Sequence, residues 1–305
     1  MRAELVSAAE SFAPRIREVA DEVEQEARLP EDLVEQMTAA GLFRLYMPAS
    51  AGGEEADPLT VFAVIEALAQ ADASVAWILM IAAEIASSVG WLKPEVAREV
   101  LGRDASGRCA ARMSGSARPN GIAVVAEGGY VVDGRWDFAS GIEQATAMVG
   151  MCSLQEPNGS PLLQEGTPAY RMMLMPVGDG RIDRTWNTMG LRGTGSHDFV
   201  AAGVFVPGER ALDFTMPAVA AGPLWTPGFH LVGNWVANAG HAIGTARGAI
   251  TEFRTLATTT GSSGSGTLLR ERDEVRLELA RAEAKVSAAR AFVQEAVGAA
   301  WASVV

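Results

Sequence analysis

The stretch Trp186-Asn187-Thr188-Met189-Gly190-Leu191-Arg192-Gly193-Thr194-Gly195-Ser196-His197-Asp198 decides how the chain is read. Three glycines set among small hydroxyl residues do not hold a helix; they make a tight loop whose backbone can approach a flat ligand. Trp186 puts an aromatic face just ahead of that loop, and residues 198–207 continue as strand. Taken alone, Gly-x-Gly is a turn between two strands. It is not a dinucleotide fingerprint, because no third glycine opens a helix behind it. Upstream lies Tyr130-Val-Val-Asp-Gly-Arg-Trp136-Asp-Phe138-Ala-Ser140-Gly141. There Asp133-Gly134 reads as a hairpin turn, and period-two alternation sets Trp136, Phe138 and Ser140 on one strand face. An aromatic ring and a hydroxyl two residues apart offer a ring cofactor a flat wall and a hydrogen-bonding group.

Working outward, 305 residues with 49% hydrophobic and 20% charged content describe an ordinary globular protein of more than one domain. A net charge of -12 argues against nucleic acid, whose phosphates need a basic surface. Cys109 and Cys152 make neither a disulfide framework nor metal spacing, so a reducing, cytoplasmic setting is expected. The N-terminus carries acids where a signal peptide is apolar. Residues 75–92 are the longest apolar stretch, but Glu84 near its centre makes a membrane span costly, and a buried helix is the reading.

Residues 1–28 place Leu5, Ala9, Phe12, Ile16, Val19 and Val23 on one helical stripe. Pro30 with Glu31 and Asp32 starts a second helix, which stops at Gly41. A third begins after Asp57-Pro58 and is broken at residues 71–74, ahead of the buried helix. From Arg108 short β-rich runs alternate with Gly, Pro, Asn and Ser, the pattern of a small β-barrel or sandwich. Helix returns over residues 229–258, followed by a Ser/Gly loop that composition makes flexible. A last amphipathic helix, from residue 268 on, carries Val275, Leu279, Ala282, Val286, Ala289 and Val293. Because the helix before it is apolar nearly all round, these two helices predict an interface, with Val286 and Phe292 facing it.

The Phe-Ala-Ser-Gly and Leu-Arg-Gly-Thr-Gly-Ser-His-Asp stretches together resemble the middle domain of the acyl-CoA dehydrogenase superfamily, and most of all its reduced-flavin-dependent monooxygenase branch. The resemblance implies an α+β multidomain fold: an α-helical domain over residues 1–107, a β-barrel or sandwich over 108–212 that forms the flavin wall, and a C-terminal helical bundle over 213–305. That bundle is incomplete, with two long helices where the family has four. The resemblance further implies a flavin, FMN or FAD, and an aromatic or polycyclic small-molecule substrate. It also implies a separate flavin reductase as partner, and a homo-oligomer, dimer or tetramer.

In that frame Ser140 stands where the family puts a catalytic hydroxyl at flavin N5, and Phe138 and Trp186 where it puts aromatic contacts. Ser114 and Ser116 lie in the family's first flavin-contacting loop, residues 112–119, and Thr194 and Ser196 complete the cofactor set. His197, His230 and His241 lack the spacing of metal ligands, so no metal is expected. Arg192 is read as a packing or ion-pair residue, and His241 as a satisfied core residue.

An acyl-CoA dehydrogenase needs a carboxylate to remove an α-proton. The helix over residues 229–258 has no acid before Glu252, and Asn234 stands about where a helix-borne glutamate falls. The Thr-Glu-Pro usual in the first loop is also absent. Both favour a monooxygenase oxygenase component over an FAD-dependent acyl-CoA dehydrogenase. The short bundle, and the lack of the arginine that the family commonly places after residue 258, keep open a third reading, a truncated non-catalytic subunit that acts by interaction.

Overall fold

The computed structural model describes residues 1–261 and 266–305, with the side chains of Leu231, Val232 and Asn234 outside that description. The expectation for Asn234 and part of the Ser/Gly loop therefore lie outside the described residues. The first helical stripe is divided into α1 (Ala3–Ser11), α2 (Ala13–Glu18) and α3 (Ala20–Glu26). Pro14 lacks an N–H and opens a new helix instead of continuing the old one. Leu5, Ala9, Ile16, Val19 and Val23 remain on the buried side across both breaks.

Helix α4 (Glu31–Ala39) leads to α5 (Pro58–Ala71), where Asp57 accepts from the Thr60 N–H at 3.0 Å. One extended residue, Asp72, separates α5 from α6 (Ala73–Ser87) and caps the latter through the Val75 N–H at 2.9 Å. Ala73–Trp91 is long and apolar enough to cross a bilayer, but 72% of its apolar window is buried inside the protein. It is the core helix. Helix α7 (Pro94–Leu101) closes this part.

The β-region has β1 (Met113–Ala126), β2 (Gly129–Ala139), β3 (Ala147–Gln155), β4 (Leu163–Gln164), β5 (Thr167–Pro168), β6 (Tyr170–Pro176), β7 (Arg181–Asp183), β8 (His197–Pro207) and β9 (Ala211–Leu212). Seven of them form one sheet in the order β7-β8-β2-β1-β3-β6-β9, with β1 and β3 parallel and the other pairs antiparallel. Among the described residues β7 and β9 do not pair, so the expected barrel is not closed. One sheet face, with Met113, Val149 and Leu174, packs on Leu92, Val96 and Leu101 of the helical part. The other buries Trp136, Met148, Met173 and Phe199.

Asp133-Gly134 is not the hairpin turn. The turn is Glu127-Gly128, with Gly128 at φ +77°, and Asp133 sits inside β2 at a register shift, accepting from the Gly203 N–H at 2.9 Å. Gly134 is needed for space: a Cβ there would lie 2.7 Å from the Trp136 ring, and one at Gly150 2.6 Å. These glycines form the slot in which the indole lies.

Helices α8 (Phe229–Thr259) and α9 (Asp273–Ala302) complete the fold. Buried Glu66 of α5 ties them together, binding Arg290 at 2.7 Å and Arg247 at 3.3 Å. Val286, Val293 and Val297 pack inward on Phe62, Val236 and Ile243. Phe292 is 71% exposed. The expectation that Val286 and Phe292 share an outward stripe is therefore corrected: six residues apart on a helix, they point to different sides.

Candidate functional site

The site forms where the end of β2, the glycine loop and α6 meet. Strand alternation fails at Phe138, whose φ of +58° is left-handed and rare for a phenylalanine. Trp136 is therefore fully buried while Phe138 is 48% exposed, and the two do not share a face with Ser140 as alternation predicted. The Ser140 N–H donates back to the Phe138 carbonyl at 2.8 Å, and the Gly141 N–H to the Thr194 carbonyl at 2.8 Å. This turn carries Ser140 inward and leaves Phe138 outward. Strain of this kind costs on the order of 1 kcal/mol and concentrates at functional positions. The Phe138 ring meets Trp186 edge to face, centroids 5.8 Å apart, and the Arg118 guanidinium lies 4.7 Å from its centre.

Behind this pair runs a chain of buried hydroxyls. Trp77 Nε1 of α6 donates to Ser140 Oγ at 3.0 Å. Ser140 Oγ and Ser196 Oγ are 2.7 Å apart, as are Ser196 Oγ and Thr194 Oγ1, and Thr194 Oγ1 donates to the Leu191 carbonyl at 2.9 Å. A carbonyl only accepts and an indole N–H only donates, so the two ends set the direction of every hydrogen between them. Thr194 gives its hydrogen to Leu191, Ser196 gives to Thr194, and Ser140 gives to Ser196. Ser140 Oγ then has one hydrogen committed, one lone pair taken by Trp77, and one lone pair left.

Of the sequence-derived set, the structure brings Ser140, Thr194, Ser196 and Ser114 together, the last donating from Oγ to the Ser140 carbonyl at 2.9 Å. Phe138 and Trp186 stand beside them. Ser116 stays apart, its Oγ accepting from the Arg118 N–H at 3.4 Å. Ser114 and Ser116 belong to strand β1, paired with β3, where a loop was expected.

The close approaches of the glycine loop are also corrected. A Cβ at Gly195, which has φ +49°, would lie 2.1 Å from the Ala27 carbonyl, and one at Gly193 2.4 Å from Val23. These glycines let the loop press on α3 and the residue that ends it, and not on a flat ligand. Arg192 reaches Glu24 at 3.6 Å, the ion pair its sequence context suggested. His197 Nδ1 accepts from the Trp186 backbone N–H at 3.0 Å, and burial lowers its pKa, so it anchors Trp186 as a neutral ring. His241 Nε2 is 2.9 Å from the Ala73 carbonyl and its ring is edge-on to Trp77 at 5.2 Å.

Two residues of this region escaped the sequence reading. Trp77, which donates to Ser140 Oγ at the far end of the chain, lies 63 positions from Ser140. Glu84 entered only as a charge that spoils a membrane span. In the fold its carboxylate accepts from Asn238 Nδ2 of α8 at 2.6 Å, and burial pushes its pKa up to about 7. The available signal was its seven-residue spacing from Trp77 on an otherwise apolar helix.

The family model for the acyl-CoA dehydrogenase N-terminal domain matches residues 2–108, and that for the acyl-CoA dehydrogenase C-terminal domain matches residues 236–305. Among curated proteins the chain is similar to the flavin-dependent monooxygenase oxygenase subunit HsaA of Rhodococcus jostii, 34% identical over 206 residues, covering 67% of this chain. It spans about half of that relative's length, 51%. It is also similar to the indole-3-acetate monooxygenase of Acinetobacter baumannii, 31% identical over 291 residues, covering 94% of this chain and 71% of the relative. Among solved structures, XiaF from a Streptomyces species, in complex with FADH2 and glycerol, superposes with a TM-score of 0.87 at 26% identity, covering 100% of this chain and 77% of that one.

Proposed function

The chain belongs to the acyl-CoA dehydrogenase superfamily, within its flavin-dependent monooxygenase branch, and on that premise we propose that it acts as the oxygenase component of a two-component flavin monooxygenase. The observation that carries the proposal is the lone pair left on Ser140 Oγ beside the Phe138–Trp186 pair. Reduced flavin, FMN or FAD, supplies the electrons for oxygen activation when it is bound. Its N5 carries a hydrogen, and a hydroxyl whose own hydrogen is committed elsewhere is a partner of the right polarity. In this reading Ser140 touches the cofactor, Phe138 and Trp186 wall it, and Ser114 holds the Ser140 peptide in place. Thr194 and Ser196 act through Ser140, and Ser116 borders the site.

The substrate is an aromatic or polycyclic small molecule, and the partner a separate flavin reductase. Large exposed side chains on the C-terminal helices, Phe292 and Trp235, support a homo-oligomer, dimer or tetramer. The buried, unpaired thiols of Cys109 and Cys152 fit a cytoplasmic setting. The division into domains 1–107, 108–212 and 213–305 is proposed on the same footing.

The test is an anaerobic titration of the full chain with reduced FMN and reduced FAD. Binding in the micromolar range is expected. Ser140→Ala should weaken it several-fold, by loss of one hydrogen bond, and Trp186→Ala about tenfold, by loss of an aromatic wall and its anchor. A well-folded protein that binds neither flavin would overturn the proposal.

A further inference from the structure

Helices α6 and α8 run antiparallel and meet along a paired stripe. Trp77, Glu84 and Trp91 are spaced by seven, two helical turns each, and so lie on one side of α6 and the turn that extends it. Across from them stand His241, Asn238 and His230. The pairs are direct: Trp77 with His241 at 5.2 Å between ring centres, Glu84 with Asn238 at 2.6 Å, and Trp91 with His230 at 4.7 Å. One end of the stripe reaches Ser140 through the Trp77 indole N–H. The other opens into an apolar cavity of about 380 Å³ lined by Trp91, Phe214, Trp225 and His230 among others. The stripe thus joins the hydroxyl chain to an aromatic pocket, with a carboxyl group between them.

Resting on the flavin monooxygenase reading, we infer that Glu84 and Asn238 form the polar anchor of a substrate cleft, and that they take an O–H or N–H carried on an aromatic ring. The chemistry follows from what the pair has left to offer. Asn238 commits one of its two amide N–H groups to one carboxylate oxygen of Glu84, so the pair presents the second carboxylate oxygen, a charged acceptor when Glu84 is ionised, beside the amide carbonyl and one remaining amide N–H. A ligand that meets the free oxygen of the ionised carboxylate must donate.

Among the described residues no cation neutralises Glu84, which makes no ion pair. The Tyr46 phenol, whose O–H donates to the Gly233 carbonyl, feels its charge, and His241 and His230 stand further along the stripe. Burial lowers the pKa of both histidines. A buried carboxyl without a cation beside it, set between the hydroxyl chain and the aromatic pocket, is a functional candidate. Two helical turns, about 10 Å, separate it from Trp77, the length of a one- or two-ring molecule.

The probes are 2-naphthol and 2-methoxynaphthalene, alike in shape, of which only the first donates. Each is titrated into the full chain loaded with reduced flavin, without oxygen, between pH 6 and pH 8. Wild type should bind the naphthol about tenfold more tightly than the ether, and more so as pH rises and Glu84 loses its proton. Glu84→Gln should cut the preference to about twofold or less and flatten its pH dependence. Asn238→Ala removes the hydrogen bond that holds the Glu84 pKa down, so it should move the midpoint of the pH curve upward.

Flavin affinity should be the same in all three proteins. Equal binding of both probes by wild type, or full preference in Glu84→Gln, overturns the anchor and leaves the flavin reading standing. If Glu84→Gln does not fold, an unmoved midpoint in Asn238→Ala overturns the anchor by itself. Absence of flavin binding in wild type removes the reading and this inference with it.

Discussion

A hydroxyl has one hydrogen, and at Ser140 its direction is decided by groups that cannot reverse. Trp77 Nε1 donates at one end and the Leu191 carbonyl accepts at the other, so Ser140 points its hydrogen at Ser196. Oxidised flavin presents a bare nitrogen at N5 and gains nothing from an oxygen lone pair; reduced flavin presents N–H and does. Ser196→Ala cuts the chain and frees the Ser140 hydrogen to turn outward. The affinity ratio of reduced to oxidised flavin, measured by fluorescence titration, should fall about fivefold in that variant, the worth of one redirected hydrogen bond. An unchanged ratio would contradict the polarity assigned to the chain.

Among the elements, α9 shows why a helical stripe has to be assigned to a partner as well as to a side. Val286 packs with Val293 and Val297 against α5 and α8, whereas Phe292 is 71% exposed. The two positions therefore separate folding from association. Val286→Asp puts an unpaired carboxylate into an apolar contact and should lower the melting temperature by several degrees. Phe292→Asp should leave melting nearly unchanged and shift light scattering toward smaller species. If both variants lower stability alike and neither changes size, the interface proposed for these helices is wrong.

For the molecule as a whole, buried titratable groups set opposite slopes of stability against pH. His197, His230 and His241 all have pKa values lowered by burial, so their contribution is present above the ordinary histidine value of 6.5 and is lost as pH falls below it. Glu84 is the reverse. Its pKa is raised from 4.5 to about 7, so its contribution is present below pH 4.5 and is lost as pH climbs to 7. Glu84→Gln mimics the protonated form. It should match wild type at pH 4.5, exceed it by on the order of 2 kcal/mol at pH 8, and fall in stability steadily as pH drops below about 6.5. Denaturant unfolding at fixed pH values checks this. A variant no more stable than wild type at pH 8 would mean that Glu84 is not held in its neutral form by the fold.

Local chemistry was legible wherever it acts within a turn or so of chain. Asp57-Pro58 announces its helix because a cap bonds an N–H three residues ahead, and Asp72, read only as part of a break over 71–74, does the same for the helix that starts at Ala73. The Phe-Ala-Ser-Gly and Gly-Thr-Gly-Ser-His stretches marked the family and brought Phe138, Ser140 and Trp186 to attention. What neighbouring residues could not decide was which group each would meet. Asp133-Gly134 looks like a turn, but the glycine is there for an indole packed across the sheet. Gly193 and Gly195 look like a ligand loop, but their space is taken by α3 and the residue after it. One lone pair of Ser140 is taken by Trp77, 63 positions away, and the state of Glu84 is set by burial against a hydrogen bond from Asn238, 154 positions away. Sequence patterns report periodicity and local hydrogen bonding; burial and the partner of a buried polar group are properties of the packed chain, and only the tertiary structure supplied them.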